Sequence, residues 1–503
     1  MFTRVLIANR GEIAVRVMRT CREMGIRSVA VYSDADADAP HVLAADDAIR
    51  IGPPPAAESY LNSSAILDAA RRTGADAIHP GYGFLSENAD FARACDAAGI
   101  TFVGPPASVI ERMGLKTAAR ETAGAAGVPV VPGGEPADQS AGAVRDALNR
   151  VGLPALIKAV AGGGGKGIRT VREPSGIDAA VAAAKQEAER AFGDGRLYVE
   201  RLIDRPRHVE VQILGDTRGQ IIHVLERDCT LQRRHQKVIE EAPAPRLSGP
   251  VRARLHEAAV AAARAAGYVN AGTVEFLVEG EGEEARFYFL EVNTRLQVEH
   301  PVTEMITGLD LVRAQLEIAA GAPLSIRQDD VSPRGHAIEC RVYAEDSRRL
   351  LPQTGRLLRY REPQGPGVRV DSGVAEGQAI SVHYDPLIAK LITHGDTRGE
   401  ALDAAIGALR AFEILGLHHN IGFLQAVLAR DEVRVASLHT QFIEAHLDEL
   451  TRPPSDAVQR AMAAVAAYIQ SSPLPTGDAD AEAAPAFDPW DLLGPLDWFP
   501  EPR

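Results

Sequence analysis

The tract Gly162-Gly163-Gly164-Gly165-Lys166-Gly167 constrains this chain more than any other feature. Glycine loses the most conformational freedom on ordering, so such a run cannot be the inside of a helix or strand and has to be a loop. Apolar runs at 155–159 and 168–171 flank it, which predicts a flap joining two antiparallel strands. The tract satisfies the spacing GxGxxG, but that dinucleotide fingerprint needs a helix after its last glycine, and a strand follows here. The Walker A pattern fails as well, because Ile168 stands after Gly167 where lysine is required. Unshielded backbone N–H groups beside Lys158 and Lys166 suit the phosphates of a nucleotide triphosphate.

The rest of the chain is organised around this flap. At roughly 150 residues per domain, 503 residues predict about three domains. Residues 4–8 are apolar, and Ile13, Val17 and Cys21 follow at helical spacing. Further strands at 28–32 and 75–79 and a helix at 65–72 make residues 1–113 an α/β, Rossmann-like domain. Residues 114–333 read as α+β, with helices near 115–126, 177–192 and 251–266 and strands at 197–200, 208–214 and 221–226. Strands at 337–343, 367–370, 379–382 and 387–393, with closing helices, predict a mixed α+β domain over 334–447. Residues 448–503 read as a helix (456–469) and an acidic, proline-rich tail that holds both tryptophans, Trp490 and Trp498. That composition favours a solvated tail, whereas exposed aromatic clusters are typical of contact surfaces, so the tail is expected either to pack on the body or a partner or to be disordered.

Charge and cysteine usage exclude several classes. With 54 Lys+Arg against 68 Asp+Glu the net charge is -14, which repels polyphosphate backbones and anionic membranes. No nucleic-acid or membrane partner is expected. Four scattered cysteines predict neither a disulfide framework nor structural zinc, and with no apolar leader or spanning segment the expected compartment is the cytoplasm.

An acidic pair marks the chemistry. Strands at 272–278 and 287–291 flank a short loop; if the hairpin is centred near Glu283, Glu275 lies opposite Glu291. Like charges directly opposite destabilise a sheet, so a cation should bind there. With the amide oxygen of Asn293 they make a hard oxygen site suited to Mg²⁺ (or Mn²⁺). Polar residues then recur at every second position, Glu291, Asn293, Arg295, Gln297 and Glu299, which reads as one strand, bent near its middle, with chemistry on one face.

These strings closely resemble biotin carboxylase, the ATP-grasp component of biotin-dependent carboxylases, over residues 1–447. The resemblance rests on Ile7-Ala-Asn-Arg-Gly-Glu-Ile13, His79-Pro-Gly-Tyr-Gly-Phe-Leu-Ser-Glu-Asn88, the glycine tract, Glu226-Arg-Asp-Cys229, Gln232-Arg-Arg-His-Gln-Lys237, Glu291-Val-Asn-Thr-Arg-Leu-Gln-Val-Glu-His-Pro301 and Glu339-Cys-Arg341. It implies an ATP-grasp domain over 114–333 with a mobile glycine-rich lid at about 130–203. It also implies a reaction in which ATP and bicarbonate give carboxyphosphate, and the carboxyl group then moves to biotin on a carrier protein.

Residue by residue, the resemblance implies that Lys116, Lys158 and Gly162, Gly163, Gly164 and Gly165 hold the phosphates. Glu200, Leu202, His208 and His235 would form the nucleotide pocket, with Gln232 beside them. Arg201 stands where the family often has lysine. Glu275, Glu291 and Asn293 would take the metal; Lys237, Arg295, Gln297 and Val298 would surround bicarbonate; Glu299 would be its base. Arg341 would stabilise the biotin enolate, and Tyr82 and Gly83 would face biotin. No Met-Lys-Met attachment tripeptide occurs. The acceptor is therefore expected on a separate biotin carboxyl carrier protein, with a carboxyltransferase subunit as second partner and a homodimer or larger complex as the assembly.

Overall fold

The structure is a computed structural model that describes residues 1–160, 168–192, 194–452 and 460. The glycine tract, the helix expected at 456–469 and the tryptophan-containing tail lie outside these residues. Residues Met1–Leu450 form one compact unit.

The first region is a parallel sheet of five strands in the order Asp47–Gly52, Arg27–Ser33, Arg4–Ile7, Ala77–His79, Thr101–Phe102. Parallel neighbours need crossovers, and the helices Gly11–Glu23, Ser63–Thr73 and Ala89–Ala97 supply them. Because helices cover both faces, the central strand is apolar after Arg4: Val5 and Ile7 join one core, Leu6 and the following Ala8 the other. Asn62 and Asn88 cap their helices by accepting from Ala65 and Phe91 N–H groups.

The flap region is a small antiparallel sheet in the order Gly133–Gly134, Leu197–Arg201, Ala155–Ala159, Ile168–Val171. Alternation sorts its faces. Ile157 and Val199 pack with Val144, Leu148, Val181 and Ala184 of the helices Ala141–Val151 and Ile177–Phe192. Lys158 and Glu200 project from the opposite face.

The site is carried by an eight-stranded antiparallel sheet. Its order is Arg286–Asn293, Asn270–Glu279, Arg207–Gly215, Ile221–Arg233, Gln236–Ala242, His336–Tyr343, Leu387–Gly395, Val368–Ser372. The sheet runs unbroken across residue 334, because Gln236–Ala242 is hydrogen-bonded to His336–Tyr343. Two features depart from the sequence reading. The strand Gln236–Ala242 was not foreseen, since its Glu240 and Glu241 do not read as core although both are buried. The strand expected to continue to Glu299 stops at Asn293. Residues 294–299 instead turn into the helix His300–Thr307, whose Pro301 lies in the first turn, where a missing N–H costs nothing.

Candidate active site

One rung of the large sheet sets the electrostatics. Glu291 pairs with Glu275, Glu275 with Glu210, and Glu210 with Arg227. Three carboxylates thus stand side by side on adjacent strands, an arrangement that is unfavourable without cations. Lys237 provides the first: its Nζ lies 2.6 Å from Glu210 Oε2, 2.8 Å from Glu275 Oε1 and 2.6 Å from Glu299 Oε1. Arg227, fully buried, is the second, with Nε donating to Glu210 Oε1 at 2.5 Å and the remaining guanidinium donating to Gln212, Thr273 and Thr303.

The turn at 294–299 brings its polar side chains back over this rung. Arg295 donates to Glu87 Oε2 at 2.9 Å, Gln297 Oε1 at 2.8 Å and Asn293 Oδ1 at 3.0 Å. Gln297 donates to Glu275 Oε1 at 3.2 Å. Glu299 occupies the N-cap position of the following helix and is fully buried. Its second oxygen accepts from Arg341 Nη2 at 2.9 Å, and Arg341 Nε donates to Glu240 Oε1 at 2.6 Å. Glu299 is therefore gripped from two sides by cations on different strands.

These contacts fix protonation. Burial pushes Glu299 up, but Lys237, Arg341 and Arg227 outweigh it and hold the carboxyl well below its ordinary range. Glu275 is likewise depressed: burial opposes the charge, and Lys237 and His208, whose Nε2 is 3.0 Å away, favour it more strongly. Glu291 goes the other way, raised by burial and then by the charge on Glu275, with Lys116 acting against that rise. Glu291 is thus an under-compensated carboxyl beside an ionised one. Two carboxylates and the Asn293 amide are hard oxygen donors, so the residues present fit a divalent cation that would relieve this repulsion.

The sequence-predicted residues divide clearly. Glu275, Asn293, Arg295, Gln297, Lys237, Glu299 and Arg341 are joined in one hydrogen-bonded network, with His208 and Glu291 beside it. Lys158 and Glu200 form a separate pair, Nζ lying 3.1 Å from both carboxylate oxygens. Arg201 turns away from that pair to Glu279 and Tyr288, each at 2.8 Å. Leu202 is half-buried and hydrogen-bonded through its backbone N–H to Pro154. Gln232 pairs with Lys237 across the hairpin, and His235 is exposed at its two-residue turn. No hydrogen bond among the described residues joins His235 to the cluster. Tyr82 donates to Glu12, while Gly83 is exposed beside it with φ +68°. The Val298 carbonyl accepts from Lys390 at 2.8 Å.

Glu210, Arg227, Glu87, Glu240 and Lys390 were missed. A signal existed for the first: His208, Glu210 and Gln212 are polar at every second residue of a strand whose other face is Val209, Val211 and Ile213. No local signal marks Lys390, a fully buried lysine set between the apolar runs Leu387–Ala389 and Leu391–Ile392.

Comparison with known proteins agrees with this architecture. The family model described as "Biotin carboxylase, N-terminal domain" matches residues 1–110, "Carbamoyl-phosphate synthase L chain, ATP binding domain" matches 116–327, and "Biotin carboxylase C-terminal domain" matches 339–445. A biotin carboxylase of Halalkalibacterium halodurans is 50% identical over 447 residues, covering 89% of this chain and 98% of the relative. The methylcrotonoyl-CoA carboxylase subunit alpha of Oryza sativa is 54% identical over 457 residues, covering 90% of this chain. The chain spans 62% of that plant subunit's length. Among solved structures, a Campylobacter jejuni biotin carboxylase complex aligns with a TM-score of 0.84 at 43% identity, covering 89% of this chain and 99% of the other. A biotin carboxylase domain from Hydrogenobacter thermophilus, solved with MgADP and bicarbonate, aligns at 0.83 with 44% identity, covering 90% and 99%.

Proposed function

The chain belongs to the biotin carboxylase family, and from that premise we propose how its residues divide an ATP- and bicarbonate-dependent carboxylation of biotin. The observation that carries the reading is the Lys237–Glu299–Arg341 bridge, in which one buried carboxylate links a cation of the acidic rung to a cation of the far strand.

Glu299 starts ionised, the state a general base requires. Its basicity is low while both cations hold it, and it rises when Lys237 turns to bicarbonate and Arg341 to biotin. The proton of bicarbonate passes to a Glu299 oxygen as a bicarbonate oxygen attacks the γ-phosphate, ADP leaves, and carboxyphosphate forms. Arg295 and Gln297, locked by Glu87 and Glu275, orient bicarbonate. Lys116, Lys158 and Gly162 to Gly165 hold the phosphates, and Glu200 exchanges Lys158 for the adenine amino group once ATP enters. Glu275, Glu291 and Asn293 would hold Mg²⁺ or Mn²⁺, which supplies charge neutralisation to the phosphates when bound. Arg341 offers a planar fork of donors to the biotin enolate oxygen, a geometry lysine cannot reproduce. Gln232, His235, Leu202, Tyr82, Gly83 and Val298 complete the nucleotide and biotin surroundings of this proposal.

The same proposal includes a separate carrier protein whose attached biotin accepts the carboxyl group, a carboxyltransferase partner, a homodimer or larger complex, and a cytoplasmic location. No helix among the described residues is long and apolar enough to cross a membrane. The match of residues 116–327 to a carbamoyl-phosphate synthase ATP-binding domain favours one second reading, a carbamoyl-forming ligase. One assay separates the two: ATP, Mg²⁺ and labelled bicarbonate, with or without free biotin. Bicarbonate-dependent ADP release stimulated by biotin, with label in carboxybiotin, is expected. Bicarbonate-dependent ATP cleavage indifferent to biotin would overturn the biotin reading.

A further inference from the structure

Behind Arg341 lies a second pair of opposed carboxyls outside the roles assigned above. Glu240 and Glu339 are direct cross-strand partners, and both are fully buried. Direct partners bring Cβ atoms within about 5 Å, so two ionised carboxylates there would repel strongly. Their hydrogen bonding is lopsided. Glu240 Oε1 accepts from Arg341 Nε at 2.6 Å, whereas Glu240 Oε2 and both Glu339 oxygens have no hydrogen-bond partner among the described residues. An unpartnered buried carboxylate is too costly to keep, while a protonated one can donate to its neighbour.

A bulge turns Glu240 toward the site. Leu231 pairs with Ile239 but Gln232 pairs with Lys237, so Val238 is an extra residue, and Lys237 and Glu240, three apart, both reach Glu299's surroundings. The opposite face of these strands is apolar core, with Ile239, Ile338, Val342 and Leu391.

We propose that Glu240 and Glu339 share one proton, Glu339 holding it and Glu240 carrying the charge, and that this pair positions Arg341 for biotin. The inference rests on the biotin carboxylase reading of Arg341. The charged and titratable groups facing the pair are Lys237 on the Glu240 strand, Cys229 on the strand Ile221–Arg233, Arg341 and Tyr343 on the Glu339 strand, and Lys390, the register partner of Arg341, on the next strand. Glu299 lies on the overlying turn, and His300 and Glu304 on the helix packed over this face through Val302 and Ile306. Glu12 reaches the cluster only through Lys390, at 3.1 Å. Burial, partly offset by Arg341 and then reinforced by the charge on Glu299, raises Glu240 to about 7, and burial raises Glu339 further. Protonating Glu240 releases Arg341 from its anchor, so activity toward biotin should fall on the acidic side of neutrality.

The test measures carboxybiotin and bicarbonate-dependent phosphate release in parallel, against pH, with free biotin and the full chain. Glu240→Gln is expected to lower kcat/KM for biotin about tenfold, the effect of losing a hydrogen bond to a charged partner, with ATP cleavage retained. Glu339→Leu removes the donor that steadies the charge on Glu240, so the acidic limb of kcat/KM for biotin should move to higher pH by about one unit, whereas Glu339→Gln, neutral and still able to donate, should leave the limb in place; the ATP-cleavage profile stays put in both. A merely structural role would lower activity without moving the limb in Glu339→Leu. An unmoved limb in Glu339→Leu, a limb moved to lower pH in Glu339→Gln, or equal loss of both reactions in Glu240→Gln overturns the inference. If Glu240→Gln fails to fold, the two Glu339 variants decide alone. Absence of carboxybiotin in the unaltered protein would instead refute the functional reading itself.

Discussion

Glu299 and Arg341 make different demands on the same buried salt bridge. Glu299 contacts cations from both sides, so Glu299→Gln should suppress bicarbonate-dependent ATP cleavage and biotin carboxylation together, by about 10²–10⁴-fold as for loss of a general base. Arg341→Gln should reduce carboxybiotin more than phosphate, uncoupling the reactions; equal losses of both products in the two variants would show the division to be wrong. A second prediction concerns stability at Glu226, whose side chain turns to Arg252 and His256 of the helix Gly249–Ala265. Burial raises its carboxyl, but His256 Nε2 at 2.6 Å and Arg252 Nε at 2.7 Å overcome that and hold it at about 2 against an ordinary 4.5. A depressed folded-state value gives stability that is fully present above about 4.5 and is lost as pH falls toward 2, on the order of 3 kcal/mol in total. Glu226→Gln should therefore lower Tm at pH 7 and flatten the acid side of the Tm profile, read by calorimetry from pH 7 to pH 3.

At the scale of elements, the hairpin between Ile221–Arg233 and Gln236–Ala242 turns through Arg234 and His235, with φ of +48° and +65°. Both residues occupy the left-handed region that a two-residue hairpin turn demands and that Asn-Gly fills with less strain. The double change Arg234→Asn, His235→Gly should raise stability by about 1–2 kcal/mol and, if His235 meets substrate as proposed, raise KM. Greater stability with unchanged kinetics would remove His235 from the site. The flap offers a companion test on the sequence alone: Gly164→Val with Gly165→Val should raise KM for ATP more than about tenfold. Legibility also varied by element. The flap strands, the parallel region and the hairpin register of Glu275 with Glu291 could be read from apolar periodicity and from where a loop must fall. The strand Gln236–Ala242 could not, because its buried acids are made tolerable by Arg341, His336 and Arg398, which arrive from distant sequence.

Across the whole molecule, the eight-stranded sheet couples regions that read as separate in sequence. Because Gln236–Ala242 and His336–Tyr343 are neighbours in it, and their outer face packs with Leu402, Phe423 and Leu424, residues 207–450 should unfold in one calorimetric transition. Two resolved transitions would contradict this. Gly373 adds a tie to the parallel region, since a Cβ there would lie 2.2 Å from the Glu12 backbone nitrogen. Gly373→Ala should cost about 1–3 kcal/mol, read as a drop in Tm.

The sequence by itself determined the parallel first region, the position of the flap, the opposed acids Glu275 and Glu291 and the family to which the motifs belong. Each is either a local periodicity or a contiguous string, and short-range information suffices for it. Only the tertiary structure decided that Glu210 joins the rung, that the chain leaves the sheet at Asn293, and that Glu299 is shared between Lys237 and Arg341. It also decided that Glu240 faces Glu339 and that Lys390 is buried against Val298 and Glu12. These depend on bulges, on strand order and on charges that are stable only when residues far apart in sequence meet in a low-dielectric interior, where an ion without its partner would not survive.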